Sequence, residues 1–316
     1  MKPILCFGEL LIDFLNFNSA HEGGFDLPEF RQYPGGAPAN VAAAVARLEA
    51  PARFVGQVGD DRFGRFLTDA MVQLGVDMTY LGVHPSAHTP LAYVFLDDDG
   101  ERSFEFLRKA SADVLMTPED LPIPAFEGAG LFHFCSNTLT DVAIARTTEA
   151  AVAQARRVGA TISFDVNLRH NLWPKTTVDP AVIDRFLRLA DIVKVSKEEA
   201  DWIEASGFPI EEWLDTVKAI WVTDGGGDIR VLTRAGDLLV TPPAVKAVDT
   251  TAGGDAFSGG LLRALNGREL SHLSQNELEQ ITQFAAACGA KAVSRAGALP
   301  SLPTWSEVSD HWPFDA

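Results

Sequence analysis

Residues 249–260 of this chain, DTTAGGDAFSGG, set two carboxylates and two threonines among residues with almost no side chain. Ala252, Gly253 and Gly254 leave their backbone N–H groups open to close approach by a ligand, and an apolar helical run, LLRAL, follows. Unpaired N–H groups and the positive end of the aligned peptide dipoles at such a helix start favour an anion. Asp255 then sits in the first turn, beside the anion. A carboxylate in that place can take the proton from a hydroxyl that attacks a phosphoryl group. The plainer alternative is a Gly-rich turn in which Asp255 only stabilises the helix start, and these twelve residues do not separate the two.

A second stretch, PGGAPANVAAAVARLEAPARFVGQVGDDRFG from residue 34, offers Gly35 and Gly36 for close backbone approach and Asn40 as donor and acceptor for a polyol. Taken alone it is a turn before an Ala-rich helix. In FDVNLR, Asp165, Asn167 and Arg169 alternate and so share one face at a strand end. A structural Asp–Arg pair is the competing explanation there. Arg169 matters because the formal net charge is −17, and an anionic substrate needs local positive potential. The same acidity argues against nucleic acid and anionic lipid as partners.

Several common chemistries lack their signatures. The sequence has no GxxxxGK[ST], no GxGxxG after the first strand, no HExxH and no GxSxG. Cys6, Cys135 and Cys288 are scattered, which predicts no disulfide framework and a reducing, cytoplasmic setting. The apolar start MKPILCFGELLIDFLNF is interrupted by Glu9 and Asp13 and predicts a strand rather than a signal peptide. No apolar run approaches the roughly 20 residues that cross a bilayer.

The elements that must position these residues alternate along the chain. Ile4–Phe7, Arg53–Val55, Leu131–Phe134, Thr161–Phe164, Ile192–Val195 and Ala219–Val222 predict buried strands. Between them, Ala39–Leu48, Phe63–Leu74, Asp141–Arg157 and Pro180–Leu189 carry helical spacing, as do Gly254–Ala264 and Glu277–Val293 further on. That alternation predicts βαβ units and a mostly parallel sheet covered on both faces. Ligands of such sheets bind beyond the carboxyl ends of the strands. The polar clusters there are Glu9–Asp13, Asp165–Arg169, Lys194–Glu199 and Thr223–Gly227. Two regions break the rhythm. Residues 9–33 predict an irregular aromatic segment, and Leu91–Leu107 predicts two strands around the turn Asp97–Gly100.

The two small-residue stretches together resemble the PfkB, or ribokinase-like, family of ATP-dependent sugar kinases. GELLIDF, PGGAPANVA, FLRKASAD and FDVNLR look most like its bacterial fructokinases. The resemblance covers the whole chain and implies one three-layer α/β/α domain over 1–316, with a β-sheet lid formed by roughly 9–35 and 90–109. It implies Asp255 as base, with Ala252, Gly253 and Gly254 as the anion hole. Asp13, Gly35, Gly36 and Asn40 would hold sugar hydroxyls, with Arg108 reaching the sugar or a phosphate from the lid, and Asp165, Asn167 and Arg169 completing the substrate site. Nucleotide contacts fall to Lys194, Ser196, Thr223, Gly225, Gly226 and Gly254. Glu199 would organise Mg2+ through water, while Asp249, Thr251, Gly297 and Ser301 match a K+ site.

Three departures from the family pattern stand out. Ser196 replaces the usual Asn of an Asn-x-x-Glu element. Ala252 leads the anion hole where Gly is usual, which matters if that position needs φ > 0. Glu49 replaces a small residue at a helix end, a change expected to leave the chemistry untouched. The expected reaction is transfer of the γ-phosphoryl of MgATP to a primary hydroxyl of a ketose, fructose first. Kinases of 2-keto-3-deoxygluconate or ribose, and a sugar-binding regulator without turnover, are the alternatives. A homodimer through the lid is a further expectation.

Overall fold

The computed structural model describes residues 1–96, 102–173 and 177–314. Six apolar runs form parallel strands: β1 (Ile4–Phe7), β4 (Ala52–Val55), β9 (Leu131–Cys135), β10 (Thr161–Asp165), β11 (Ile192–Ser196) and β12 (Ala219–Thr223). They pair in the order β4-β1-β9-β10-β11-β12, and an antiparallel hairpin of β13 (Ile229–Thr233) and β14 (Gly236–Val240) extends the sheet beyond β12.

Alternation along β1 shows how the sheet divides two cores. Ile4 and Cys6 point into one, with α1 (Ala37–Arg47), α2 (Arg62–Gln73), α7 (Gly253–Leu265) and α8 (Gln275–Val293). Leu5 and Phe7 point into the other, with α3 (Val142–Arg157), α4 (Pro180–Leu187), α5 (Lys197–Ala205) and α6 (Ile210–Trp213). Strands buried on both faces tolerate few polar residues, which is why they are legible as continuous apolar runs. The result is a three-layer α/β/α architecture.

Residues 9–33 are not irregular. β2 (Leu11–Glu22) and β3 (Phe25–Gly35) form a long antiparallel hairpin, joined by β7 (Leu91–Leu96) and β8 (Arg102–Leu107) in the order β3-β2-β7-β8. Cross-strand aromatic contacts hold this small sheet, and such pairs are visible only once the register is known. Phe14 stacks on Tyr93 at 5.3 Å between centroids, and Phe30 meets Tyr93 and Phe95 edge-on at 5.8 and 5.7 Å. Phe14 also packs edge-on against Phe63 of α2, which ties the small sheet to the body. The turn expected at Asp97–Gly100 lies outside the described residues. A short parallel ribbon of β5 (Gln57–Gly59) and β6 (Gly82–His84) completes the strands. No helix among the described residues is long and apolar enough to cross a membrane.

Candidate active site

The carboxyl ends of β1, β9 and β10 and the N-termini of α1 and α7 converge on one cavity of about 280 Å³. Asp255, in the first turn of α7, is on its wall and only 8% exposed. Its Oδ2 accepts a 2.8 Å hydrogen bond from Nδ2 of Asn40 on α1. Burial pushes the Asp255 carboxyl up to about 7, and the neighbouring Asp165 adds to that. The Asn40 hydrogen bond and the charges of Lys194 and Arg169 pull the other way. A carboxyl poised there is a competent general base near neutral pH.

The glycines before α1 are fixed by crowding. A Cβ on Gly35 would lie 2.1 Å from Asp13 Oδ2, and one on Gly36 would lie 2.4 Å from the Glu9 carbonyl oxygen. Gly36 caps α1 at φ 107°, a conformation that L side chains rarely adopt. Asp13 lines the same cavity.

Behind the α7 N-terminus stands an ion pair. Lys194 Nζ lies 3.1 and 3.0 Å from the two oxygens of Asp165, and Ser258 Oγ donates to the same carboxylate at 3.1 Å. A Cβ on Gly254 would approach Lys194 Nζ to 3.1 Å, so the ammonium abuts the proposed anion hole. A Cβ on Gly253 would strike Val293 Cγ1 at 2.6 Å. Ala252 is different. It caps α7 at φ −104°, so no left-handed backbone is required and its Cβ carries no conformational penalty.

The remaining predicted residues fall into three groups. Asn167, at φ 39°, and Arg169 line the Asp255 cavity; Arg169 Nη1 donates to the Leu168 carbonyl at 3.0 Å. Ser196 caps α5, accepting from Glu199 N at 3.2 Å. Glu199 closes the capping box by accepting from Ser196 N at 2.9 Å, and its other oxygen accepts from Leu168 N at 2.6 Å. Backbone donors thus fix both carboxylate oxygens of Glu199, and each keeps a lone pair for a water or a metal. Thr223 pairs in register with Ser196 on adjacent strand ends, and Gly225 and Gly226 follow in an open turn. Asp249 gathers its own loop, accepting from Thr251 N at 3.0 Å and from Gly297 N at 2.9 Å. Ser301 donates to the Ala298 carbonyl nearby.

Arg108 is placed differently from the expectation that it reaches the substrate. It is 6% exposed, and its Nε donates to Asp113 at 2.6 Å while Nη1 reaches Thr140 at 3.3 Å. It lines a separate cavity of about 650 Å³. Its charge acts on Glu9, opposing the burial that raises that carboxyl.

Sequence reasoning gave no role to Glu9 or Asn137, yet both line the Asp255 cavity. Glu9 Oε1 accepts from Ala37 N at 3.0 Å and from Asn137 Nδ2 at 2.9 Å. Asn137 follows β9 by two positions, so the search beyond strand ends that found FDVNLR also leads to it.

Known proteins resemble this chain along nearly its whole length. The model of the pfkB family of carbohydrate kinases matches residues 1–305. Fructokinase-1 of Oryza sativa subsp. japonica is 40% identical over 310 residues, covering 96% of this chain and 96% of that protein. The ATP-bound fructokinase of Xylella fastidiosa superposes with a TM-score of 0.91 at 38% identity, over 98% of each chain. A fructokinase of Vibrio cholerae bound to fructose, ADP and calcium gives a TM-score of 0.85 at 34% identity, over 99% of each chain. With a family match over nearly all of its length and relatives of this identity, the chain belongs to the pfkB family of carbohydrate kinases.

Proposed function

We propose that the protein transfers the γ-phosphoryl group of ATP to a primary hydroxyl of fructose. The observation that carries the reading is the buried Asp255 carboxyl, held by Asn40 at the start of α7 and facing a polar cavity. Fructokinase relatives from plants and bacteria give fructose its priority among ketoses.

In this reading Asp255 takes the proton as the sugar O–H bond breaks. The new O–P bond forms while the bond from the γ-phosphorus to the β–γ bridging oxygen opens, and ADP leaves with that electron pair. The N–H groups of Ala252 and Gly254 bind the charge that spreads over the transferring group, and that of Gly253, which donates to the Thr250 carbonyl at 3.2 Å, turns from it to join them. Lys194 adds positive charge beside them. Ser196, Thr223, Gly225 and Gly226 hold the nucleotide along the neighbouring strand ends. Asp13, Gly35, Gly36, Asn40, Asn167 and Arg169 orient the sugar, and Asp165 fixes Lys194. Glu199 would hold, through water, the Mg2+ that accompanies ATP, and that ion would supply neutralisation of the phosphate charge. Asp249, Thr251, Gly297 and Ser301 would hold K+, which would set the position of the loop that begins DTTAGG.

The small sheet acts as the lid that keeps water from the reacting phosphate. It leaves Phe17, Phe25, Leu27 and Leu107 exposed, and we infer a homodimer built through it in the cytoplasm. Sedimentation at micromolar concentration tests the dimer; a single monomeric species contradicts it.

The test of the activity is ADP release with fructose, 2-keto-3-deoxygluconate and ribose, compared as kcat/KM. Fructose should lead. A tenfold or greater preference for either of the others overturns the assignment.

A further inference from the structure

Eight buried side-chain atoms among the described residues make no hydrogen bond, and four of them belong to the wall of the Asp255 cavity: Glu9 Oε2, Asn40 Oδ1, Asn137 Oδ1 and Asn167 Nδ2. Buried polar groups are otherwise paired almost without exception, so a cluster of unpaired ones marks partners supplied by a ligand. Their polarity is fixed by their neighbours. Glu9 Oε1 already accepts twice, from Ala37 N and from Asn137 Nδ2, so the Asn137 amide must turn its oxygen away from Glu9. The ionised Asp255 does the same to Asn40, whose Nδ2 faces it at 2.8 Å. With Glu9 ionised, as the Arg108 charge and the Asn137 hydrogen bond favour against its burial, the wall offers three acceptors and one donor.

Charge points the same way. Glu9, Asp13 and Asp255 line this cavity, with Arg169 as the cation among its described lining residues. Arg108 offsets part of the Glu9 charge from behind the wall, where Asp113 holds its guanidinium, but it does not line the cavity and leaves Asp13 and Asp255 to Arg169. A ligand that suits the wall brings several hydroxyl hydrogens and no carboxylate.

Resting on the kinase reading above, we propose that Glu9 and Asn137 determine substrate class. Glu9 Oε2 and Asn137 Oδ1 each accept a hydrogen bond from a hydroxyl of a neutral polyhydroxylated sugar, and the Glu9 carboxylate turns away sugar acids. Asn40 Oδ1 accepts a third hydroxyl while its amide holds the base.

The test pairs Glu9→Gln, which can put a donor where the free acceptor stands, with Asn137→Ala. Fructose and ATP affinities are read by calorimetry, and kcat/KM is measured for fructose and 2-keto-3-deoxygluconate. Each variant should lose at least about tenfold in fructose affinity while ATP affinity stays within about threefold. In Glu9→Gln the ratio of kcat/KM for the acid over fructose should rise at least about tenfold. Fructose affinity unchanged in both variants, or an unchanged acid-to-fructose ratio in Glu9→Gln, overturns the proposal. Should Glu9→Gln lose ATP binding through misfolding, Asn137→Ala decides, and unchanged fructose affinity there overturns it. Parent protein that binds fructose without phosphorylating it contradicts the kinase reading alone, since the wall is still judged by binding.

Discussion

Asn40 Nδ2 donates to Asp255 Oδ2 across 2.8 Å, although 215 positions separate the two residues in the chain. This bond joins the N-termini of α1 and α7, the two helices whose Gly-rich entries crowd the same cavity. It orients the proposed base and stabilises its ionised form, against the burial that raises it to about 7. Loss of the bond should therefore be visible in the pH dependence of turnover. For the parent protein, kcat/KM for the sugar should fall about tenfold per unit of pH below about 7 as Asp255 takes up its proton. In Asn40→Leu the midpoint of that limb should move to higher pH, because a contribution that lowers the Asp255 pKa is gone. A stopped-flow or coupled-assay pH profile checks the direction.

The same buried carboxyl should cost the fold stability. Its pKa is raised on folding, from an ordinary 3.8 to about 7, so the folded state holds the proton more tightly than the unfolded one. The associated stability is fully present below about pH 4 and is lost as pH rises through about 7. Asp255→Asn does not titrate. Its melting temperature should match the parent near pH 4 and exceed it by at least about 5 °C at pH 8. Calorimetry at the two pH values reads the difference.

Lys194 and Asp165 are 12% and 3% exposed, and neither can be left alone. Lys194→Met removes the cation that Asp165 faces from two directions and should destabilise the fold by about 3–5 kcal/mol. It also removes charge beside Gly254, so kcat should fall by at least about tenfold in the protein that remains folded. Urea unfolding and steady-state kinetics separate the two effects.

Glu49 follows the last turn of α1 at φ 59°, the left-handed position at which helices favour glycine. Glu49→Gly should stabilise the protein by about 1 kcal/mol with turnover unchanged, as denaturant unfolding beside an activity assay would show.

Much of the fold was legible because the parallel strands are buried on both faces. Ile4–Phe7, Thr161–Phe164 and Ala219–Val222 appear as apolar runs, and the structure extends two of them by only one residue. The β2–β3 hairpin was not legible. Its stability comes from rings such as Phe14 and Tyr93 that meet across strands distant in sequence. Asp255, Asn40 and Asn167 could be singled out from small residues and alternation at strand ends. Glu9 stood in a polar cluster without a role, because its neighbours Ala37 and Asn137 come from other elements. The Arg108–Asp113 ion pair was not legible, because Asp113, five positions on, lies in a loop without a periodic pattern. The Ala252 question needed a backbone angle, and the angle of −104° removes it.

The most direct measurement is kcat of Asp255→Asn with fructose and MgATP at pH 8. The account predicts a fall of at least about two orders of magnitude, with fructose and ATP affinities retained. Turnover near that of the parent protein would contradict Asp255 as the base and, with it, the mechanism built on this cavity.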